Sequence, residues 1–416
     1  MYEGKLDWDD KVIKYIPSFQ LYDRYVTNSF TIRDLLTHRS GLKSVSGGTL
    51  YYHSDLNRDE IISGMKHLKA ETEFRTKPAY QNNMFLVAAK VVEVISGESW
   101  ENFIRQQIFT PLKMTDTVIL ESERDASNNI SAPHIKNDKF KIIPIKQEKL
   151  DNIAPAGSFY SSSSDMAKYM MFVLNKGVIG NDTIVKPTTF SEILTPQTHF
   201  ESYNRIHNEF TSYGFGWWLT PKNGHKIIDH SGGVDGSSAN LIMIENKKFG
   251  VIVLNNTNNW LPFKATVDII GNEIQDEDYL WFGKWMNENI GRNDSLAKIE
   301  QKKFITSQIK NTKFSVPLNS YKGTYVDKKY GNVFVLIKEE QLTIEFEHTP
   351  LFSGQLTHWH YDTFKLGNRD LRIKDALITF EFNSNGEITG FKIDQPLLLD
   401  VDFSEVKFEK LNINKT

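Results

Sequence analysis

Between residues 213 and 256 the chain carries four short apolar runs, YGFGWWL, HKIIDHSGG, NLIMIEN and FGVIVLNN, separated by turns of the NKKFG kind. Turns this short join only antiparallel neighbours, because a parallel pair needs a crossover of a dozen or more residues. The stretch therefore predicts an antiparallel meander, and the rest of the first two thirds must supply its cover.

That cover reads as helical. YQNNMFLVAAKVVEVISG is a strongly apolar run that stops at Gly97, as expected of a buried helix with a glycine C-cap. Thr31 is placed to cap a helix over IRDLLTH, with Gly41 as its stop. Residues 57–70 predict a helix with Ile61, Met65 and Leu68 on one apolar face. Serines 161–164 precede DMAKYMMFVLNKG, where Asp165 suits the positive end of a helix dipole. Beyond the charged, helical stretch 270–312, period-two runs such as QLTIEF put Leu342, Ile344 and Phe346 on one face. The expected class is α/β in the α+β sense: a sheet flanked by helices over 1–269, a helical connector over 270–312 and a small β-rich domain over 313–416.

Several function classes drop out. A formal net charge of -3 gives no electrostatic case for nucleic acid. With no cysteine there is no disulfide, thiol nucleophile or thiolate metal site. None of the eleven histidines falls in a His-Glu-x-x-His pattern, and His358 and His360 of HWH have no carboxylate-rich companion. No metal or cofactor is expected. GSFYSSSS lacks the lysine and glycine spacing of a phosphate loop, and no Gly-x-Ser-x-Gly elbow is present. The opening MYEGKLDWDD has no signal-peptide character and no apolar run is long enough to span a membrane, so a cytoplasmic chain is expected as it stands. Nothing in the sequence indicates an oligomeric state.

Two places invite chemistry. Tyr80 and Asn82 stand at the entry of the apolar helix. They read either as a turn and cap, or as a hydroxyl that exchanges a proton with a serine and an amide that donates to a substrate carbonyl. His230, Ser231, Gly232 and Gly233 lie in HSGGVDG, read as a link between two strands. That segment is either a plain strand-turn, or a place where glycines let a ligand approach a strand edge beside a polar group.

LLTHRSGL (35–42), the Tyr-x-Asn of YQN and the His-Ser-Gly before a strand stand in an order that resembles the serine β-lactamase and penicillin-binding-protein superfamily, in its class C-like, esterase-like branch. GKLDWDDKVIKYIPSF and PAGSFYSSSSDMAKYM add to the likeness, which covers residues 1 to about 265. The tail resembles the small β domain, barrel-like, often appended to such hydrolases. The resemblance implies an acyl-serine mechanism on an ester, amide or peptide-like small molecule. Tyr80 would be the general base, Asn82 would orient the substrate, and His230 with Ser231 and Gly232 would match the strand motif lining the cleft. Histidine in that motif tilts the expectation from a dedicated β-lactamase towards an esterase or peptidase.

The same resemblance places the nucleophile in a Ser-x-x-Lys helix upstream of the segment like GKLDWDD, where only Met1, Tyr2 and Glu3 stand. Ser40/Lys43, Ser63/Lys66, Ser295/Lys298 and Ser307/Lys310 match the string, as chance allows in a lysine-rich chain. Ser40 is expected to hold a turn, Ser63/Lys66 has a helical setting but lies on the wrong side of every other marker, and the other two fall in the boundary region outside the catalytic domain. The expectation is a truncated chain, inactive as it stands, with its full-length relative exported. Apolar surface should be bare along the sheet edge and beside Leu86, Val87 and Val91. The competing expectation is a non-catalytic protein that binds peptide-like or cell-wall ligands, or a vestigial fragment.

Overall fold

A computed structural model describes residues 4–411 except 138, 148, 201–209, 368–369, 397 and 399. By contacts the chain divides into two compact units, residues 1–44 with 70–293 and residues 45–69 with 294–416.

The first unit is built on a six-stranded antiparallel sheet. Its strands are β1 (Thr198–Phe200), β2 (Thr211–Tyr213), β3 (Trp218–Lys222), β4 (His225–Val234), β5 (Ser237–Ile244) and β6 (Phe249–Asn255), each bonded to its neighbour in sequence. The meander follows from alternation: consecutive side chains on a strand face opposite ways. Ile228, Leu241 and Met243 enter one core, while Ile227, Ile242 and Ile244 enter the other. Each such Ile or Leu is almost fully buried, so truncation to alanine would cost about 2–5 kcal/mol.

The helices that matter most are α1 (Ile32–Leu36), α2 (Asn83–Ser96), α3 (Ser163–Leu174), α4 (Leu261–Ile274) and α5 (Glu277–Thr306). On one face of the sheet α3 contributes Met170, Phe172 and Val173, joined by Ala89 of α2. On the other, Val267 and Ile270 of α4 meet Tyr279 and Phe282 of α5. Ser162 caps α3 and the buried Asp165 sits in its first turn. Thr31 caps α1 through a reciprocal box with Asp34, but that helix ends at Leu36, well before Gly41. The reason lies at His38, whose left-handed φ of 55° turns the chain out of the helix.

Leu86, Val87 and Val91 are not bare, contrary to expectation; their exposures are 0, 0 and 1%. The helix Val12–Tyr15, α1 and the turn Ala154–Gly157 pack on α2 and close over them. At the sheet edge, β6 carries no strand on its outer side among the described residues, yet only Leu254 of its large apolar side chains is exposed.

The second unit is a closed eight-stranded barrel, β7 (Gly323–Asp327), β8 (Gly331–Lys338), β9 (Gln341–Phe346), β10 (Gly354–His360), β11 (Thr363–Gly367), β12 (Ala376–Phe382), β13 (Ile388–Asp394) and β14 (Phe408–Lys410). Closure comes from β7 pairing with β14 at Tyr325↔Lys410 and Val326↔Glu409. Leu342, Ile344 and Phe346 do share its inner face. Tyr321, Tyr325, Phe364, Phe391 and Phe408 fill the interior with rings at most 1% exposed, as side chains fill small eight-stranded barrels.

Residues 45–69, which the sequence reading left in the first domain, belong to this second unit. The helix Arg58–Gly64 is capped by Asn57 and buries Ile61. The Asp55 amide donates to the His348 carbonyl (3.0 Å), the Asp55 carboxylate meets His348 Nδ1 (2.9 Å), and the Gly47 amide donates to Glu405 (2.9 Å). Gly48 lies so close to the Asp400 carbonyl that no Cβ would fit. Most of 270–312 is one helix, α5, unbroken through 277–306.

Candidate active site

The LLTHRSGL turn is a scaffold for the segment that follows it by forty residues. Asp34, fully buried, accepts from Thr31 N (2.9 Å), Arg39 Nε (2.6 Å) and Arg75 Nη2 (2.6 Å). Burial pushes its carboxyl up, but the bonds from Arg75 and Thr31 and the charge of Arg39 outweigh it and hold the group below the ordinary carboxylate range. Ser40 Oγ accepts from Leu42 N (3.2 Å), the turn role expected of it. Gly41, at φ 86°, accepts from Glu71 N and Thr72 N, and a Cβ there would stand 2.7 Å from the Thr72 carbonyl.

His38 completes the scaffold and was missed by the sequence reading, although it lies inside the marker. Its carbonyl accepts from Ala79 N (2.8 Å) and its Nδ1 from Gln81 N (3.0 Å), while Gln81 Nε2 donates to the Lys43 carbonyl. Tyr80 is thus gripped on both sides, with its ring 4.2 Å from that of His38. Because Nδ1 is the acceptor, the neutral ring carries its proton on Nε2, which has no hydrogen-bond partner among the described residues. Burial drives this imidazole down to about 3. The ring is neutral at any physiological pH.

Tyr80 also packs on an aromatic cluster of Phe200, Tyr213 and Trp218 from β1–β3. Its ring centroid lies 6.3 Å from that of His230 and 6.5 Å from that of Tyr213. The structure therefore brings two of the sequence-predicted residues, Tyr80 and His230, to one place. Asn82 precedes α2 with helical backbone angles and makes no side-chain cap, which removes the capping role suggested for it.

Only the Asp-Gly end of HSGGVDG links strands. His230–Val234 is the far half of β4, paired with β5 at His230↔Leu241, Ser231↔Asn240, Gly232↔Ala239 and Gly233↔Ser238. The turn is Asp235–Gly236, a two-residue hairpin with Gly236 at φ 76°, the Asp-Gly signature of such turns. On the other side β3 ends at Trp218↔Asp229, so from His230 onwards that edge of β4 has no strand partner among the described residues. Ser231, Gly232 and Gly233 are exposed there, and the space a Cβ would occupy at either glycine is open.

The polar groups here are held close to neutral. Tyr213, fully buried, reaches His230 Nε2 with its hydroxyl (3.1 Å), and His230 Nδ1 meets the Ser231 carbonyl (2.7 Å). Burial lowers the His230 pKa, with the bond to Ser231 pulling the other way. Burial, reinforced by Tyr80 and Asp229, raises Tyr213 well above an ordinary phenol. Burial also lifts the Asp229 carboxyl to about 7.

Other candidates are placed elsewhere. Ser63 is an exposed residue of the helix Arg58–Gly64 in the second unit, and Ser307 donates to the Phe304 carbonyl at the end of α5. Ser295 and Lys298 also fall in the second unit. Ser40 and Lys43 stay in the LLTHRSGL turn, where Ser40 holds Leu42 N and the Lys43 carbonyl holds Gln81. A β-bulge separates His358 from His360, His358 Nε2 meets the Tyr361 carbonyl, and His360 Nδ1 accepts from Ile309 N. No cluster of three or more metal-ligating side chains occurs among the described residues. No described helix is long and apolar enough to cross a membrane. The sequence leaves substrate choice to loops such as 44–55 and 195–215, and the second lies partly outside the described residues.

Comparison with known proteins agrees with this architecture. The Beta-lactamase family model matches residues 1–273, and a domain of unknown function, DUF3471, matches 307–410. The chain is 24% identical to Unguisins hydrolase ungD' of Aspergillus campestris, over 81% of this chain and 64% of that protein. It is 26% identical to Penicillin-binding protein 4* of Bacillus subtilis, over 68% of this chain and 61% of that one. The chain spans about half to two thirds of the length of these curated relatives. Among solved structures, the octameric penicillin-binding protein homologue from Pyrococcus abyssi superposes with a TM-score of 0.59 at 19% identity, over 98% of this chain and 84% of that one. A D-stereospecific amidohydrolase from Streptomyces gives 0.52 at 18% identity, over 64% and 80%.

Proposed function

The chain belongs to the β-lactamase family, and on that premise we propose that its first unit carries the cleft of an acyl-serine hydrolase for small ester, amide or peptide-like substrates. The observation that supports this most is the meeting of Tyr80 and His230 across 6.3 Å beside a strand edge left open at 230–234. In this reading Tyr80 exchanges the proton of a serine hydroxyl. Asn82 orients the substrate carbonyl, and His230, Ser231, Gly232 and Gly233 line the opposite wall. The hydrolase and amidohydrolase names of the relatives agree with an acyl-transfer substrate.

The 416-residue chain by itself does not turn over in this reading. Ser40 is assigned to its turn and none of the other Ser-x-x-Lys serines to the cleft, and a base without a nucleophile leaves little of the rate. A second reading is favoured by the edge of β4 that no described strand covers: the exposed segment Ser231–Gly233 can accept an extended peptide-like ligand by strand addition without catalysis.

Incubation with a fluorophosphonate, followed by intact-mass measurement, tests the proposal. The 416-residue chain should gain no adduct, while the protein isolated from its source should gain one if a Ser-x-x-Lys segment accompanies the cleft there. A stoichiometric adduct at Ser40 or Ser63 of the chain itself would overturn the assignment of the site. No adduct on the source protein would leave the binding reading in its place.

A further inference from the structure

The open end of the cleft is walled by a histidine whose two ring nitrogens are both used inside the protein. His230 Nδ1 lies 2.7 Å from the Ser231 carbonyl, and a carbonyl oxygen can only accept, so Nδ1 carries a hydrogen. Nε2 lies 3.1 Å from the hydroxyl of Tyr213, which comes from a different strand and is itself fully buried. In a neutral ring with the proton on Nδ1, Nε2 is a lone pair and Tyr213 is its donor.

We propose that Tyr213 is a positioning residue that locks His230 as the neutral Nδ1–H tautomer, so that this wall of the cleft suits an uncharged ester or amide and offers no cation to a substrate carboxylate. The inference rests on the hydrolase reading for the word substrate, but the lock itself does not. Three observations carry it. The ring's two bonds run to partners within the protein, so neither nitrogen is left to meet a ligand. Among the described residues the groups that face the pair are Tyr80 from the approach to α2, His38 behind it, and Asp229 from β4; none of these supplies a positive charge, since His38 is neutral. Burial penalises an imidazolium at His230 itself. Recognition along this wall then falls to the exposed backbone of Ser231, Gly232 and Gly233.

The lock can be read directly. In the full chain labelled with 15N-histidine, two-bond proton–nitrogen correlations distinguish the two neutral tautomers and the cation, with His230→Gln assigning the signal. His230 should be the neutral Nδ1–H form at pH 7 and above, and should protonate only at a lower pH than an ordinary histidine. Tyr213→Phe keeps the ring in its aromatic cluster but removes the donor. It should lower the ratio of Nδ1–H to Nε2–H forms by up to about tenfold, the weight of one hydrogen bond. Excess acetate should not protonate the ring.

An Nε2–H or cationic His230 in the unmodified chain at pH 7 would overturn the proposal even if the variant failed to fold. An unchanged ratio in a folded Tyr213→Phe would remove Tyr213 from it, and an imidazolium appearing with acetate would refute the exclusion of carboxylates. None of these readouts depends on a nucleophile. Failure here is therefore distinguishable from failure of the hydrolase reading, which fluorophosphonate labelling decides.

Discussion

Replacing His38 by asparagine should change how the first unit responds to acid, by an amount that follows from where the ring sits. The folded imidazole is driven to about 3 by burial, against about 6.5 in an unfolded chain. A base with a depressed folded pKa contributes stability that is complete above the unfolded value and is lost as the pH falls towards the folded one. Between pH 7 and 5 the unfolded chain takes up a proton that the folded one refuses, and the loss works out at about 2 kcal/mol, at 1.36 kcal/mol per unit. Asparagine puts Oδ1 where Nδ1 stands, so the bond from Gln81 N is kept while the titration disappears. The variant starts from a lower stability at pH 7, having lost the ring contact with Tyr80, but its stability should fall about 2 kcal/mol less over this interval than that of the unmodified protein. Urea unfolding followed by tryptophan fluorescence suits the measurement, since seven of the eight tryptophans lie in the first unit. With a slope of about 3 kcal/mol/M, the difference in midpoint change is roughly 0.7 M. Equal pH responses, within about 0.5 kcal/mol, would refute the claim that His38 is held neutral by burial.

Asp229→Asn should act in the opposite direction. A carboxyl raised to about 7 contributes stability present below its unfolded pKa and lost as the pH rises to 7, so the variant should forgo about 2 kcal/mol of gain between pH 7 and 5 in the same urea assay. The two groups offset one another in the unmodified protein, whose response over this interval should be flatter than that of either variant. Asp34→Asn should cost about 3 kcal/mol at pH 7, the lower end for breaking a buried pair because Arg39 and Arg75 keep access to water. A midpoint shift below about 0.3 M would show that the two arginines do not depend on it.

The sheet was legible because its grammar is local. Alternating apolar residues and short spacers specify neighbouring antiparallel strands, and the same holds for the Thr31 cap. The site was legible only where a residue sits beside a marker: Tyr80 and His230 were named, whereas Tyr213 and His38 were not. Tyr213 looks like one more aromatic residue of YGFGWWL until β2 and β4 bring its hydroxyl to His230. His38 looks like part of a helix end until its Nδ1 is seen to hold a backbone amide 43 residues away. HSGG was misread as a turn because two glycines favour turns, while the pairing with β5 that keeps them extended is a tertiary fact. The excursion of residues 45–69 was invisible for a related reason: an apolar face at Ile61, Met65 and Leu68 fits any core and names none.

That excursion sets an order of events during synthesis. The helix Arg58–Gly64 leaves the ribosome more than two hundred residues before the first strand of the barrel it belongs with, a wait of tens of seconds at about 5–20 residues per second. Throughout that time Ile61, Met65 and Leu68 have no barrel strand of their own unit to pack with, and the first unit must close its chain across a 25-residue loop that is still loose. Cutting the gene after residue 293 would not yield a clean first domain, because it would strand this apolar segment in the middle of the product.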